Sequence, residues 1–224
     1  MADVYASIRD YYAAKVLRHG PTPLGVDWSC APTQELRFVQ LLKLIPASGS
    51  FSINDIGCGY GALPGFLRKR FPGAAIDYYG VDVAPEMIAQ ARKRNRRPWV
   101  QFAVGHAGPR LADYSLASGI FNVMLYHSQE VWREFVAATL DDMARTSRLG
   151  FAVNFIAPLQ AGEDGPLELY RADPQVWTDH CRLTYGVEPT LLSGYGLREF
   201  TLLVALRQLS RRRAGAATAR SRTV

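Results

Sequence analysis

Residues 53–67, INDIGCGYGALPGFL, constrain the fold of this chain more than any other stretch. The run Phe51-Ser52-Ile53-Asn54-Asp55-Ile56 is short and mostly apolar, as a buried strand requires. Gly57, Gly59 and Gly61 follow at alternate positions, and Ala62-Leu63-Pro64 opens a helix, with Pro64 in the first turn where its missing donor costs little. The unit reads strand, tight turn, helix. Side chains in such a turn would block both its positive-φ conformations and the close approach of a ligand to bare backbone.

The spacing differs from the G-x-G-x-x-G of a dinucleotide site: the third glycine comes one residue early, and Asp55 stands two residues before the first. That carboxylate repels a pyrophosphate and attracts an ammonium group. Asp82 ends a second predicted strand, 76–81, and Val83-Ala84-Pro85-Glu86-Met87 reads as the helix start that follows. A carboxylate in that position can accept hydrogen bonds from both ribose hydroxyls.

Together these residues resemble the class I methyltransferases that use S-adenosylmethionine (SAM), whose first motif is an acidic residue followed by G-x-G-x-G. SAM carries an α-ammonium and a sulfonium and no phosphate. The resemblance covers roughly residues 50–206 and implies SAM as cofactor. It places Asp55, Gly57, Cys58, Gly59, Gly61, Asp82, Val83 and Met87 around the donor, with Ser118 and Gly119 beneath its methionine portion. After a third strand, 99–105, the family often places an acid against the adenine amino group. This chain has His106-Ala107 there, and either an imidazole nitrogen or a backbone carbonyl can accept that hydrogen bond.

The rest of the chain alternates helices and strands. Val4, Ile8, Tyr11, Tyr12 and Val16 recur at spacings of three and four, predicting a helix over 4–18 that His19-Gly20-Pro21 stops. A second helix is predicted over 33–45. Both precede the first strand, and the resemblance implies that they lie over the cofactor, bringing Tyr11, Tyr12 or Trp28 near the site; anchoring of those rings to the sheet is the alternative. Residues 113–120 resemble the family's fourth motif. Helices over 131–147 and 173–185 flank a strand at 150–156, with Asp173 as N-cap and Pro174 at the first helical position. Residues 158–166 form a loop expected on the ligand-binding face, since ligands bind outside the carboxyl ends of parallel strands.

Two final apolar runs, 187–192 and 198–207, enclose Ser193-Gly194-Tyr195-Gly196, a hairpin signal. The predicted architecture is therefore an α/β three-layer sandwich with a seven-stranded, mostly parallel sheet and an antiparallel closing strand. The resemblance implies the order 3-2-1-4-5-7-6. Residues 1–48 read as a helical cover, 49–207 as the core, and 208–224 as a basic tail.

Charge bears on the partner. Of 26 basic and 20 acidic residues, six arginines (Arg207, Arg211, Arg212, Arg213, Arg220 and Arg222) fall in a C-terminal stretch without an acid, so the body is neutral. A solvated tail is the simple reading, and Arg92-Lys93-Arg94-Asn95-Arg96-Arg97 is explained by a helix C-terminus. Nucleic acid is therefore not the expected partner. No apolar run reaches the length of a membrane span, the N-terminus lacks signal-peptide character, and three cysteines without C-x-x-C spacing read as reduced thiols. The expectation is a cytoplasmic protein.

Methyl transfer from a sulfonium needs alignment and exclusion of water more than acid–base catalysis. The segment 121–127, where a transferase of this fold meets its acceptor, offers Asn122, Tyr126 and His127 as contacts, with Asn154 on the next strand. His127 could serve as a base for a phenol or carboxylate. No acidic cluster near the strand ends suggests a metal; Asp141-Asp142 lies in a predicted helix. Three readings follow: a small-molecule methyltransferase acting on oxygen or nitrogen, an RNA or protein methyltransferase tethered by the arginine tail, and a binding protein without transferase activity or a nicotinamide oxidoreductase.

Overall fold

The computed structural model describes residues 1–206. Seven strands, β1 (Phe51–Ile56), β2 (Ile76–Asp82), β3 (Val100–Val104), β4 (Ala112–Ala117), β5 (Ser147–Ile156), β6 (Thr190–Leu192) and β7 (Glu199–Ala205), form one sheet in the order β3-β2-β1-β4-β5-β7-β6. The pairs from β3 to β5 are parallel, and β7 runs antiparallel to both β5 and β6. The predicted order and reversed strand are thus present. The basic tail lies outside the described residues.

Strand alternation builds two cores from one sheet. Ile53, Tyr78, Leu116 and Leu203 face a cluster closed by α2 (Ala31–Leu41), α3 (Leu63–Arg70) and α4 (Pro85–Arg94). Ile56, Val81, Ala117, Phe155 and Phe200 face the opposite cluster, with α5 (Gln129–Arg145) and α6 (Pro174–Tyr185). Val4 of the first helix, α1 (Ala2–His19), joins this second cluster, so α1 reaches across the sheet's upper edge.

The boundaries differ from expectation where local chemistry intervenes. The second helix starts at Ala31, with Pro32 in its first turn, and tightens after Leu41 into a 3-10 turn, Leu42–Leu44, ahead of Pro46. Ser128 caps α5 by accepting from the Val131 amide, so that helix begins two residues early. Asp173 caps α6 as predicted, and Gly186 ends it at φ 67°. No helix of the described residues is long and apolar enough to cross a membrane.

Candidate active site

A cavity of about 920 Å³, counting its open mouth, lies over the carboxyl ends of β1, β2, β3 and β4. The glycine turn forms its floor. The Gly57 and Cys58 amides both donate to the Val81 carbonyl, at 2.8 and 2.9 Å, folding the turn back onto β2. The three glycines serve different ends, although all have positive φ (71°, 54° and 74°). A Cβ on Gly57 would stand 2.2 Å from Ile120, and one on Gly61 2.8–3.0 Å from Asn95, Ala91 and Phe102. Gly59 has slightly more room, 3.1 Å from Val26. Gly57 and Gly59 therefore border the cavity, whereas Gly61 lets α3 sit close to α4.

Asp55 and Asp82 both line the cavity and both are buried. Asp55 Oδ2 accepts a 2.5 Å hydrogen bond from the Tyr78 hydroxyl. Burial, reinforced by the charge of Asp82 and opposed by the Tyr78 bond, pushes its carboxyl up to about 7. Asp82 spends one oxygen on the Gly59 amide and the other on the Ala84 amide, each at 2.9 Å. Those bonds favour its charged form, yet burial outweighs them and lifts it to about 6. A positive charge placed beside the two acids would favour their ionised forms, and no lysine or arginine of the cavity lining supplies one.

Val83, Met87 and Cys58 line the wall beside Asp82, the Cys58 thiol being pushed far up by burial. His106 lines the β3 side, its ring 4.1 Å from that of Tyr5 on α1; Ala107 is not part of the lining. At the end of β4, Ser118 and Gly119 line the cavity, and Ser118 Oγ is buried without a partner. The Gly119 amide donates to Asn154 Oδ1 at 2.8 Å, and Asn154 donates in turn to Glu199 Oε2 at 2.8 Å. Asn154 therefore braces the wall from behind.

The expected acceptor contacts separate. Asn122 is buried beside Gly119 with Oδ1 unpartnered, but it is not part of the cavity lining. Tyr126 is 74% exposed. His127 Nε2 lies 2.7 Å from Ser7 Oγ, and this hydroxyl also donates to the Val4 carbonyl, so the imidazole acts as the donor that fastens α1. Neither residue borders the cavity. The 158–166 loop does not border it either. Among the acids excluded as metal ligands, Asp142 accepts from the Gly108 amide and Asp141 from the Tyr185 hydroxyl.

The roof of the cavity comes from the N-terminal elements. Tyr5, Ile8 and Tyr12 of α1 line the cavity, followed by Val26, Trp28, and Gln34 and Phe38 of α2. Tyr11 turns aside and packs edge-on against Tyr12. Ile8 and Tyr12 belong to the helical stripe read from the sequence; Tyr5 does not, although its spacing of three and seven from them is a signal that could have found it. Gln34, which accepts from the Tyr60 hydroxyl at 2.6 Å, had no such signal. Trp28 reaches across to the far wall: a Cβ on Gly119 would be 2.3 Å from its indole. The Arg37 guanidinium stacks on Trp28 at 3.7 Å.

Residues 53–150 match the family model described as a methyltransferase domain. The protein named "Putative methyltransferase Rv1506c" in Mycobacterium tuberculosis is 42% identical over 164 residues, which span 73% of this chain and 98% of that protein. Trans-aconitate 2-methyltransferase of Methylobacterium nodulans is 37% identical over 76 residues, 30% of this chain and 28% of that enzyme. Magnesium protoporphyrin IX methyltransferase (ChlM) from Synechocystis PCC 6803, solved with bound SAH, superposes with a TM-score of 0.62 at 14% identity, covering 90% of this chain and 98% of that one, and shares the fold.

Proposed function

Because the chain belongs to the class I SAM-dependent methyltransferases, we propose that it methylates an oxygen or nitrogen nucleophile on a small molecule. SAM supplies an electrophilic methyl on a sulfonium that leaves as a neutral thioether. The residues fit a cationic donor, since Asp55 and Asp82 are buried acids that lack a cation. In this reading Asp55 faces the donor's ammonium. Each Asp82 oxygen keeps a lone pair for a ribose hydroxyl beyond its backbone bond. Val83, Met87 and His106 flank the base, and Ser118 and Gly119 lie under the methionine portion. The acceptor's lone pair forms the new bond to carbon as the carbon–sulfur bond breaks, and the acceptor's proton leaves to solvent at the cavity's open mouth after the transfer.

The observation that carries the small-molecule reading is the roof. α1, α2 and the segment between them close over the strand ends with Tyr5, Tyr12, Trp28 and Phe38, leaving a concave site with few polar groups, as small-molecule sites are built. Such a roof also excludes water from the transfer. A screen with methyl-labelled SAM against phenols, alcohols, amines, carboxylates and RNA tests this. Label is expected in a small molecule. Labelling of RNA alone would replace the reading with the nucleic-acid one.

A further inference from the structure

The charge distribution of the cavity goes further than the fold does. The acids on its lining are Asp55 and Asp82; no lysine or arginine borders it. Arg94 lies 5.3 Å over the Tyr60 ring without bordering the cavity, and Arg37 stands behind the Trp28 ring. Its Nε and Nη2 bind Glu199, its Nη1 donates to the Thr33 carbonyl, and both members of the pair are buried. The cation is cancelled where it stands and has no charge to offer a ligand. By contrast, six aromatic rings face the cavity: Tyr5, Tyr12, Trp28, Phe38, Tyr60 and Phe135.

The geometry points to an uncharged, ring-bearing acceptor with a hydroxyl or amine hydrogen, held against Trp28 and excluding carboxylates. This inference rests on the methyltransferase reading. When the two aspartates are ionised and hold a donor of one net positive charge, the loaded cavity carries one net negative charge. A carboxylate on the acceptor would add to that charge in a desolvated space with no side-chain cation to answer it. An ammonium, for its part, cannot accept a methyl until it has lost its proton. A neutral nucleophile avoids both difficulties.

A further observation specifies its shape. Trp28 has one face covered by Arg37, so the ring is fixed and a flat molecule can pack against what it presents to the cavity.

The test uses the full chain in two stages. Calorimetry with S-adenosylhomocysteine comes first: no binding there removes the methyltransferase reading itself and this inference with it. Binding there lets the second stage judge the acceptor alone. The protein saturated with sinefungin, an analogue that keeps the donor's net positive charge and has no methyl to transfer, is titrated at pH 7 with 2-naphthol, with 2-naphthoate, which has the same rings but a negative charge, and with trans-aconitate. The expected result is 2-naphthol binding at least tenfold tighter than either carboxylate. Trp28→Leu should weaken 2-naphthol at least tenfold and Trp28→Phe should restore most of it, with S-adenosylhomocysteine affinity reporting that each variant is folded. Either carboxylate binding as tightly as 2-naphthol, no binding of 2-naphthol, or 2-naphthol binding indifferent to Trp28→Leu overturns the inference.

Discussion

Arg37 of α2 and Glu199 of β7, 162 residues apart in the chain, meet in a buried ion pair in which Nε lies 3.0 and 2.9 Å from the two carboxylate oxygens. Glu199 also receives Asn154, and Asn154 receives the Gly119 amide. One continuous set of polar contacts thus joins the roof to the cavity wall, and Trp28 closes the circuit by lying between Arg37 and Gly119.

Removing one member of this pair strands a buried charge. Arg37→Met should cost about 3–5 kcal/mol of folding stability, measured by urea denaturation, and the double variant Arg37→Met/Glu199→Leu should recover most of it. A loss below about 1 kcal/mol for the single variant would mean that the pair behaves as an exposed one.

The two raised carboxyls make donor binding depend on pH with a definite sign. A cationic donor favours ionised Asp55, whose carboxyl stands at about 7 in the free protein, so binding expels a proton and affinity should rise between pH 6 and pH 8. Calorimetry in buffers of different ionisation enthalpy measures that proton. Asp55→Asn should flatten the profile and weaken S-adenosylmethionine at least tenfold. Unchanged affinity in this variant would remove the ammonium contact from the mechanism.

The same shift acts on the free protein's stability. Folded Asp55 holds its proton to about pH 7 and the unfolded carboxyl only to 3.8, so its contribution is complete below 3.8 and is lost as pH rises through 7. The ligand-free melting temperature should therefore fall from pH 5 to pH 8, and fall less in Asp55→Asn.

Gly119→Ala should displace Trp28. Its Cβ would lie 2.3 Å from the indole at a φ of 74°, so strain and collision act together. A shift in tryptophan emission and at least a tenfold loss of 2-naphthol binding are expected. Gly49→Ala, at φ 113° with nothing within 4 Å, isolates the strain alone and should cost about 1 kcal/mol without touching the cavity.

His127→Ala should leave donor affinity unchanged while costing about 1 kcal/mol of stability, because the imidazole's partner is Ser7 on α1. Ser7→Ala should reproduce that loss in thermal denaturation. A collapse of donor affinity in His127→Ala would place the ring in the site.

The sheet was legible because its strands are apolar runs bounded by glycine, proline and caps, and because the acids at 55 and 82 fall where β1 and β2 end. Local signals of that kind survive in one dimension. The shorter span of β6 was less visible, since Gly186 and Pro189 delay its pairing until Thr190. Least legible were the long-range partnerships: nothing near Arg37 announces Glu199, and nothing in 121–127 shows that Tyr126 faces solvent while His127 fastens α1. A periodic stripe predicted which side of α1 packs, but only the assembled sheet shows that it roofs a cavity.

The pairing of residue 37 with residue 199 also sets an order of events on the ribosome. The first two helices emerge early, yet the acid that neutralises Arg37 follows 162 residues later, so α2 carries its cation uncompensated until β7 has been made. A nascent chain stopped before β7 would hold Arg37 without its carboxylate and Asn154 without the oxygen that steadies it.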